Sequence, residues 1–149
     1  MPSGINKLIL LSFFTVLISS LKAQPEIVLS GPDQIKIGTS TVIKISLTGT
    51  KLINGPARLE LNIPEGWQIE NYPGEVASFT QDGNIARVVW LEFPSRDSLN
   101  ISAMIRLPSK EDTGSFSITG SFDYLDKGKP KTISTLPKTI RISRYFSRF

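Results

Sequence analysis

What most constrains this chain is a repeated two-residue alternation of apolar and polar side chains, cut at short intervals by glycine, proline and aspartate. Ala57-Arg58-Leu59-Glu60-Leu61-Asn62-Ile63 alternates without error. So does Leu99-Asn100-Ile101-Ser102-Ala103-Met104-Ile105-Arg106-Leu107, once Met104 is placed on the outer face. Ile43, Ile45 and Leu47 alternate with Lys44, Ser46 and Thr48. Phe116, Ile118, Gly120, Phe122 and Tyr124 do the same against their serine, threonine and aspartate neighbours. Period two is the pattern of a strand with one buried and one wet face.

Weaker candidates for strands lie at 26–30, 34–37, 75–80, 84–93 and 138–143. In 84–93 the run Val88-Val89-Trp90-Leu91 is apolar on both registers, so this segment is expected to be the most buried strand. Gly31-Pro32-Asp33, Asn54-Gly55-Pro56, Pro64-Glu65-Gly66, Tyr72-Pro73-Gly74, Asp82-Gly83-Asn84, Asp112-Thr113-Gly114 and Asp126-Lys127-Gly128 each end a strand by turn chemistry. No apolar stripe of helical period runs for ten residues. The pattern predicts an all-β fold, an antiparallel immunoglobulin-like β-sandwich of about seven to nine strands, with a small closed barrel as the alternative.

The first 23 residues read differently from the rest. A lysine precedes an apolar run over 8–18 broken only by Ser12 and Thr15, and Ala23 stands before Gln24. This is the layout of a secretory signal peptide, too short in its apolar part to span a bilayer comfortably. The expected organisation is 1–23 signal peptide, 24–137 sandwich, and 138–149 last strand with a basic-aromatic tail. No later apolar run reaches membrane length, so the mature chain is expected to have no transmembrane segment and to be periplasmic or extracellular.

Composition excludes more than it suggests. The chain has no cysteine and no histidine. It must therefore hold together without disulfides, and it lacks the groups for thiol catalysis, Ser-His triads and most zinc, copper or haem sites. No Asp-x-Asp-x-Asp run suggests calcium, and no glycine-rich loop precedes a helix that could cradle phosphate. We expect no cofactor, no metal, no catalytic residues and no enzymatic activity. Without the leader, 15 basic groups face 13 acidic ones, and the four basic residues Lys138, Arg141, Arg144 and Arg148 lie in the last twelve positions. Basicity confined to a tail argues against nucleic acid as a partner.

Two sets of residues remain as candidates for contact. Arg141, Arg144, Tyr145, Phe146, Arg148 and Phe149 mix cations and aromatics, suited to an acidic envelope protein or an anionic membrane surface. Trp67 and Tyr72 are the alternative, an aromatic pair for a sugar ring in a carbohydrate-binding module, whereas Trp90 is expected in the core. Asn100-Ile101-Ser102 matches an N-glycosylation sequon, and Asp97-Ser98-Leu99 resembles the O-glycosylation acceptor of some bacterial envelope systems.

Ile35-Lys36-Ile37-Gly38-Thr39-Ser40 and the strand after it resemble the opening of bacterial immunoglobulin-like envelope domains, as does the strand-turn Leu61-Asn62-Ile63-Pro64-Glu65-Gly66-Trp67. The stretch from Gly120 to Lys129, followed by Ile140-Arg141-Ile142, is similar to the closing hairpin of the domains of BatD-type oxygen-tolerance proteins. The chain departs from those proteins in having one domain and no membrane helix, so the resemblance implies a fold and an envelope setting and carries over no site residue. The expected function is non-catalytic protein–protein contact in a bacterial cell envelope.

Overall fold

The computed structural model describes residues 24–71, 77–109 and 113–144. Eleven strands succeed one another along them: β1 (Glu26–Ser30), β2 (Gln34–Lys36), β3 (Ser40–Thr48), β4 (Ala57–Asn62), β5 (Gln68–Asn71), β6 (Ala77–Asp82), β7 (Ile85–Trp90), β8 (Ser98–Arg106), β9 (Gly114–Asp126), β10 (Lys129–Ser134) and β11 (Lys138–Ser143). One sheet has the order β1-β3-β8-β5, and the other β2-β11-β9-β4-β7-β6 with β10 also paired to β9. Among the described residues all pairs are antiparallel except β2 with β11.

This is an immunoglobulin-like sandwich rather than a closed barrel. The first sheet has the A-B-E-D order of that fold, and β11-β9-β4 has the order G-F-C. The chain changes sheets between β1 and β2, through Gly31-Pro32-Asp33, so its first strand is split across both sheets. One departure is topological. The β6-β7 hairpin extends the second sheet beside β4, yet it comes after β5 in the chain rather than directly after β4.

The core lies between the sheets and is built by the alternation read from the sequence. Ile43, Ile45 and Leu47 of β3 and Ile101, Ala103 and Ile105 of β8 face Leu59, Leu61, Val88, Ile118, Phe122, Ile140 and Ile142 of the other sheet. Trp90, Phe93 and Phe122 meet with ring centroids 5.3 to 6.3 Å apart, in tilted or edge-on pairs favoured by the ring quadrupole. A void of about 10 Å³ between the sheets is lined by apolar side chains alone, among them Leu61, Ile69 and Phe79. It is the size of one water and has no polar group to hold one. Among the described residues every buried core side chain lies between Ile27 and Ile142, so a chain that begins at Gln24 keeps all of them.

The strand count exceeds the expected seven to nine because two strands carry no alternation signal. β5 is four residues long with a register shift between Ile69 and Asn71. β10, Lys-Pro-Lys-Thr-Ile-Ser, is exposed at every position but Ile133. Its lysines and proline mark a sheet margin that discourages further pairing. The expectation for 84–93 holds within β7, which alternates strictly between buried and half-buried positions with none exposed, although it lies one strand from the sheet margin. Val89 points outward there, and Leu91 has left the strand and is exposed.

Turn residues act where backbone geometry requires them. In Pro64-Glu65-Gly66-Trp67 the Trp67 N–H donates to the Pro64 carbonyl at 3.2 Å, and Gly66 takes φ 82° in the third position of the turn. That value is open to glycine at little cost. At the β9-β10 tip both Lys127 and Gly128 have positive φ, 51° and 77°, the pattern of a two-residue type I′ hairpin.

Candidate functional site

The two sheets present different outer faces. On the larger sheet two pairs of outward charges are matched across neighbouring strands. Arg58 of β4 donates through Nε and Nη2 to Asp123 Oδ2 on β9, at 3.0 and 2.6 Å. The other carboxylate oxygen accepts Thr132 Oγ1 of β10 at 2.6 Å. The Thr132 hydroxyl holds the Asp123 carboxyl below the usual range against the opposing effect of burial, and the Arg58 guanidinium adds to the lowering. One row along, Arg87 Nε donates to Glu60 Oε2 at 3.0 Å. Each pair stands directly across two neighbouring strands, which is why opposite charges were legible as outward positions but not as partners.

The outer face of the β1-β3-β8-β5 sheet holds mostly small polar side chains, with the charged Glu26, Lys44 and Arg106 among them. Val28, Ser46 and Asn100 form one row across β1, β3 and β8, and Ser46 Oγ donates to Asn100 Oδ1 at 3.0 Å. Ser30, Lys44 and Ser102 form the next row. Val42 stands directly opposite Met104 in the row beyond that. Val28, Val42 and Met104 are exposed by 47%, 41% and 37%, so three apolar side chains share this face with serines and an asparagine. Surfaces poor in charge and holding exposed methionine and valine are the kind that interface cores use. Their signal in the sequence is an apolar residue at a polar register. The alternation shows it at Met104, while Val28 and Val42 are hidden inside short apolar runs.

The residues singled out by sequence fare differently. Trp67 is 1% exposed, held over the Pro64 turn with its ring centroid 5.6 Å from that of Phe116. An indole enclosed in this way offers no ring face to a sugar, and that half of the carbohydrate reading is corrected by its burial. Tyr72, the other half, lies outside the described residues. Trp90 is in the core as expected. Arg141 is exposed on β11, where its N–H donates to the Asp33 carbonyl at 2.8 Å, and Arg144 is exposed just after that strand. Tyr145, Phe146, Arg148 and Phe149 lie outside the described residues. Of the six tail residues the structure therefore places two, and Arg141 belongs to the sandwich itself.

Among the described residues no three acidic side chains come together as a metal site would need. No helix among them is long and apolar enough to cross a membrane. Ser98 and Asn100, from the two glycosylation patterns, both stand exposed on β8.

No protein-family model and no curated protein sequence matches the chain. Solved structures do. A Corynebacterium diphtheriae protein described as membrane anchored superposes with a TM-score of 0.59 at 8% identity, over 83% of this chain and 37% of that one. The collagen-binding domain of the Erysipelothrix rhusiopathiae surface protein RspB does so with a TM-score of 0.51 at 9% identity, over 80% of this chain and 49% of that one. This chain thus spans less than half the length of either. At such identities the likeness is one of fold.

Proposed function

We propose that the chain is a non-catalytic, exported immunoglobulin-like domain that acts by protein–protein contact in a bacterial cell envelope. The observation that carries this reading is the difference between the two outer faces. The larger sheet pairs charges across its strands through Arg58–Asp123–Thr132 and Arg87–Glu60, whereas the face holding Val28, Val42 and Met104 leaves apolar groups in water among serines, an asparagine, Lys44 and Arg106. The leader-like first 23 residues and the likeness of the closing strands to envelope domains of BatD type support the compartment. The fold shared with a surface protein domain and a membrane-anchored protein agrees with it.

The test is site-specific photocrosslinking in intact cells, with the crosslinker placed at Met104 or at Arg87. A discrete adduct from Met104 and none from Arg87, abolished by Val42→Glu in the Met104 probe, is the expected result. Equal capture from both faces, or none from either, removes the basis for the reading.

A further inference from the structure

One pole of the sandwich gathers the β3-β4 loop, the β7-β8 loop, the β9-β10 hairpin and the start of β1. The register places them together: Glu26 pairs with Thr48, Thr48 with Ser98, and Ala57 with Trp90. The first two loops are tied to each other by four hydrogen bonds. Gly49 N–H donates to the Asp97 carbonyl at 2.9 Å and Phe93 N–H to the Gly55 carbonyl at 2.8 Å. Thr50 Oγ1 donates to the Arg96 carbonyl at 2.5 Å, and Ser95 Oγ to the Ile53 carbonyl at 2.9 Å. Ile53 and Phe93 fill the space beneath.

On this braced surface Leu52 and Leu91 stand 76% and 86% exposed. Single exposed leucines are common, but here the loops that carry them are already ordered, so no ordering cost opposes their use. The exposed charges of this pole balance, Lys51, Arg96, Lys127 and Lys129 against Glu26, Glu92, Asp97 and Asp126, so attraction to a strongly charged partner is weak. The apolar run at 8–18 also joins the domain here. Only 19–23 separate it from Gln24, and the Gln24 carbonyl lies beside Gly49, so close that a Cβ on Gly49 would come within 2.6 Å of it.

We infer that this pole docks on the lipid bilayer, with Leu52 and Leu91 entering the interfacial region. Two exposed aliphatic tips on ordered loops suit a deformable apolar medium rather than a rigid complementary surface, and flanking lysines can reach headgroups with their stems along the apolar layer. The segment preceding Gln24 brings the same pole to the membrane during export. β11 ends at the other pole, where Ser143 pairs with Lys36 and Ile142 with Gly114. This orientation is independent of the contact face proposed above.

The test is flotation of the chain beginning at Gln24 with phosphatidylcholine vesicles at millimolar lipid, with and without added anionic lipid. The wild-type chain is expected to float with neutral vesicles. Leu52→Asp combined with Leu91→Asp should lower partitioning by on the order of tenfold or more, because the apolar transfer of both side chains is lost. Leu136→Asp, a change at an equally exposed leucine between β10 and β11, should leave it unchanged. All three positions are exposed, so near-UV circular dichroism should be the same in each chain. A wild-type chain that stays at the bottom, equal flotation of all three, or flotation that needs anionic lipid and ignores the leucine changes would each overturn the inference.

Discussion

The side-chain carboxamide of Gln81 stands in for a missing neighbour of Ile69. Its Oε1 accepts the Ile69 N–H at 2.9 Å, while its Nε2 donates to the Trp67 carbonyl at 2.9 Å and to the Gly83 carbonyl at 3.0 Å. Trp67 and Ile69 flank one residue at the start of β5, and Gln81 belongs to β6 in the opposite sheet. One amide thus joins the two sheets along the side where neither strand has a further backbone partner among the described elements.

Gln81→Leu keeps the bulk of the side chain and removes all three of these bonds. Because the groups left behind are partly buried, we expect a loss of about 1–2 kcal/mol, read from the urea midpoint at unchanged slope. Hydrogen exchange at the Ile69 amide should accelerate by more than exchange in β3. Equal acceleration everywhere would mean that the amide merely adds to global stability.

Asp123 makes a signed pH prediction. Its carboxyl is held below the unfolded value of about 3.9, so its contribution is present above that value and is lost as pH falls through the lower folded value. The Arg58 side chain is 51% exposed and that of Asp123 31%, so solvent screening limits the contribution to about 0.5–1 kcal/mol. Asp123→Asn should therefore destabilise the domain at pH 7 and converge on the wild type as the pH falls through the lowered folded value, in parallel urea titrations.

Gly49→Ala should cost about 2 kcal/mol or more, since φ is 68° and the new methyl would meet the Gln24 carbonyl. Gly83→Ala provides the comparison. Its φ is also positive, at 59°, yet nothing lies within 4 Å of the added carbon, so only the conformational cost of about 1 kcal/mol remains. Thermal melts of the two variants separate steric from conformational effects.

Truncation separates the last strand from the residues beyond it. A chain ending at Arg144 keeps Ile140 and Ile142, which are 0% and 2% exposed, and should unfold cooperatively near the wild-type temperature. A chain ending at Pro137 loses both, together with the pairing of β11 to β2 and β9, and should not fold. Any loss of partner capture on removing 138–149 in one step therefore reports unfolding, and the tail has to be tested from residue 145.

Where the sequence alternated, the structure was legible. β3, β4, β8 and β9 adopt the expected registers, with Met104 on the outer face and Gly120 buried in the row of Ile118 and Phe122. Gly120 is small for a reason the sequence does not show: a Cβ there would lie 3.1 Å from Leu61 and 3.2 Å from Thr135. Thr135 bonds both the N–H and the carbonyl of Gly120 at 2.8 Å, carrying the ladder across the break between β10 and β11. Such pairings depend on contacts between residues far apart in the chain, which a local pattern does not encode. The same holds for the contact face. Val28, Val42 and Met104 come from three strands, and only the register assembles them. Trp67 misled because a tryptophan after a turn reads as exposed, whereas this turn folds its ring inward against Phe116.

The parallel pairing of β2 with β11 has a mechanical consequence. Near one end of the described chain Arg141, Ile142 and Ser143 run alongside Gln34, Ile35 and Lys36 in the same direction, braced by Gln34 Nε2 on Ser143 Oγ and by Lys138 on Asp33. Tension applied at the two termini pulls these strands past one another along their length. The rungs between them are then loaded together rather than peeled one at a time. The domain is built to resist stretching between its poles better than prying of the β6-β7 hairpin, whose rungs open singly from the free strand.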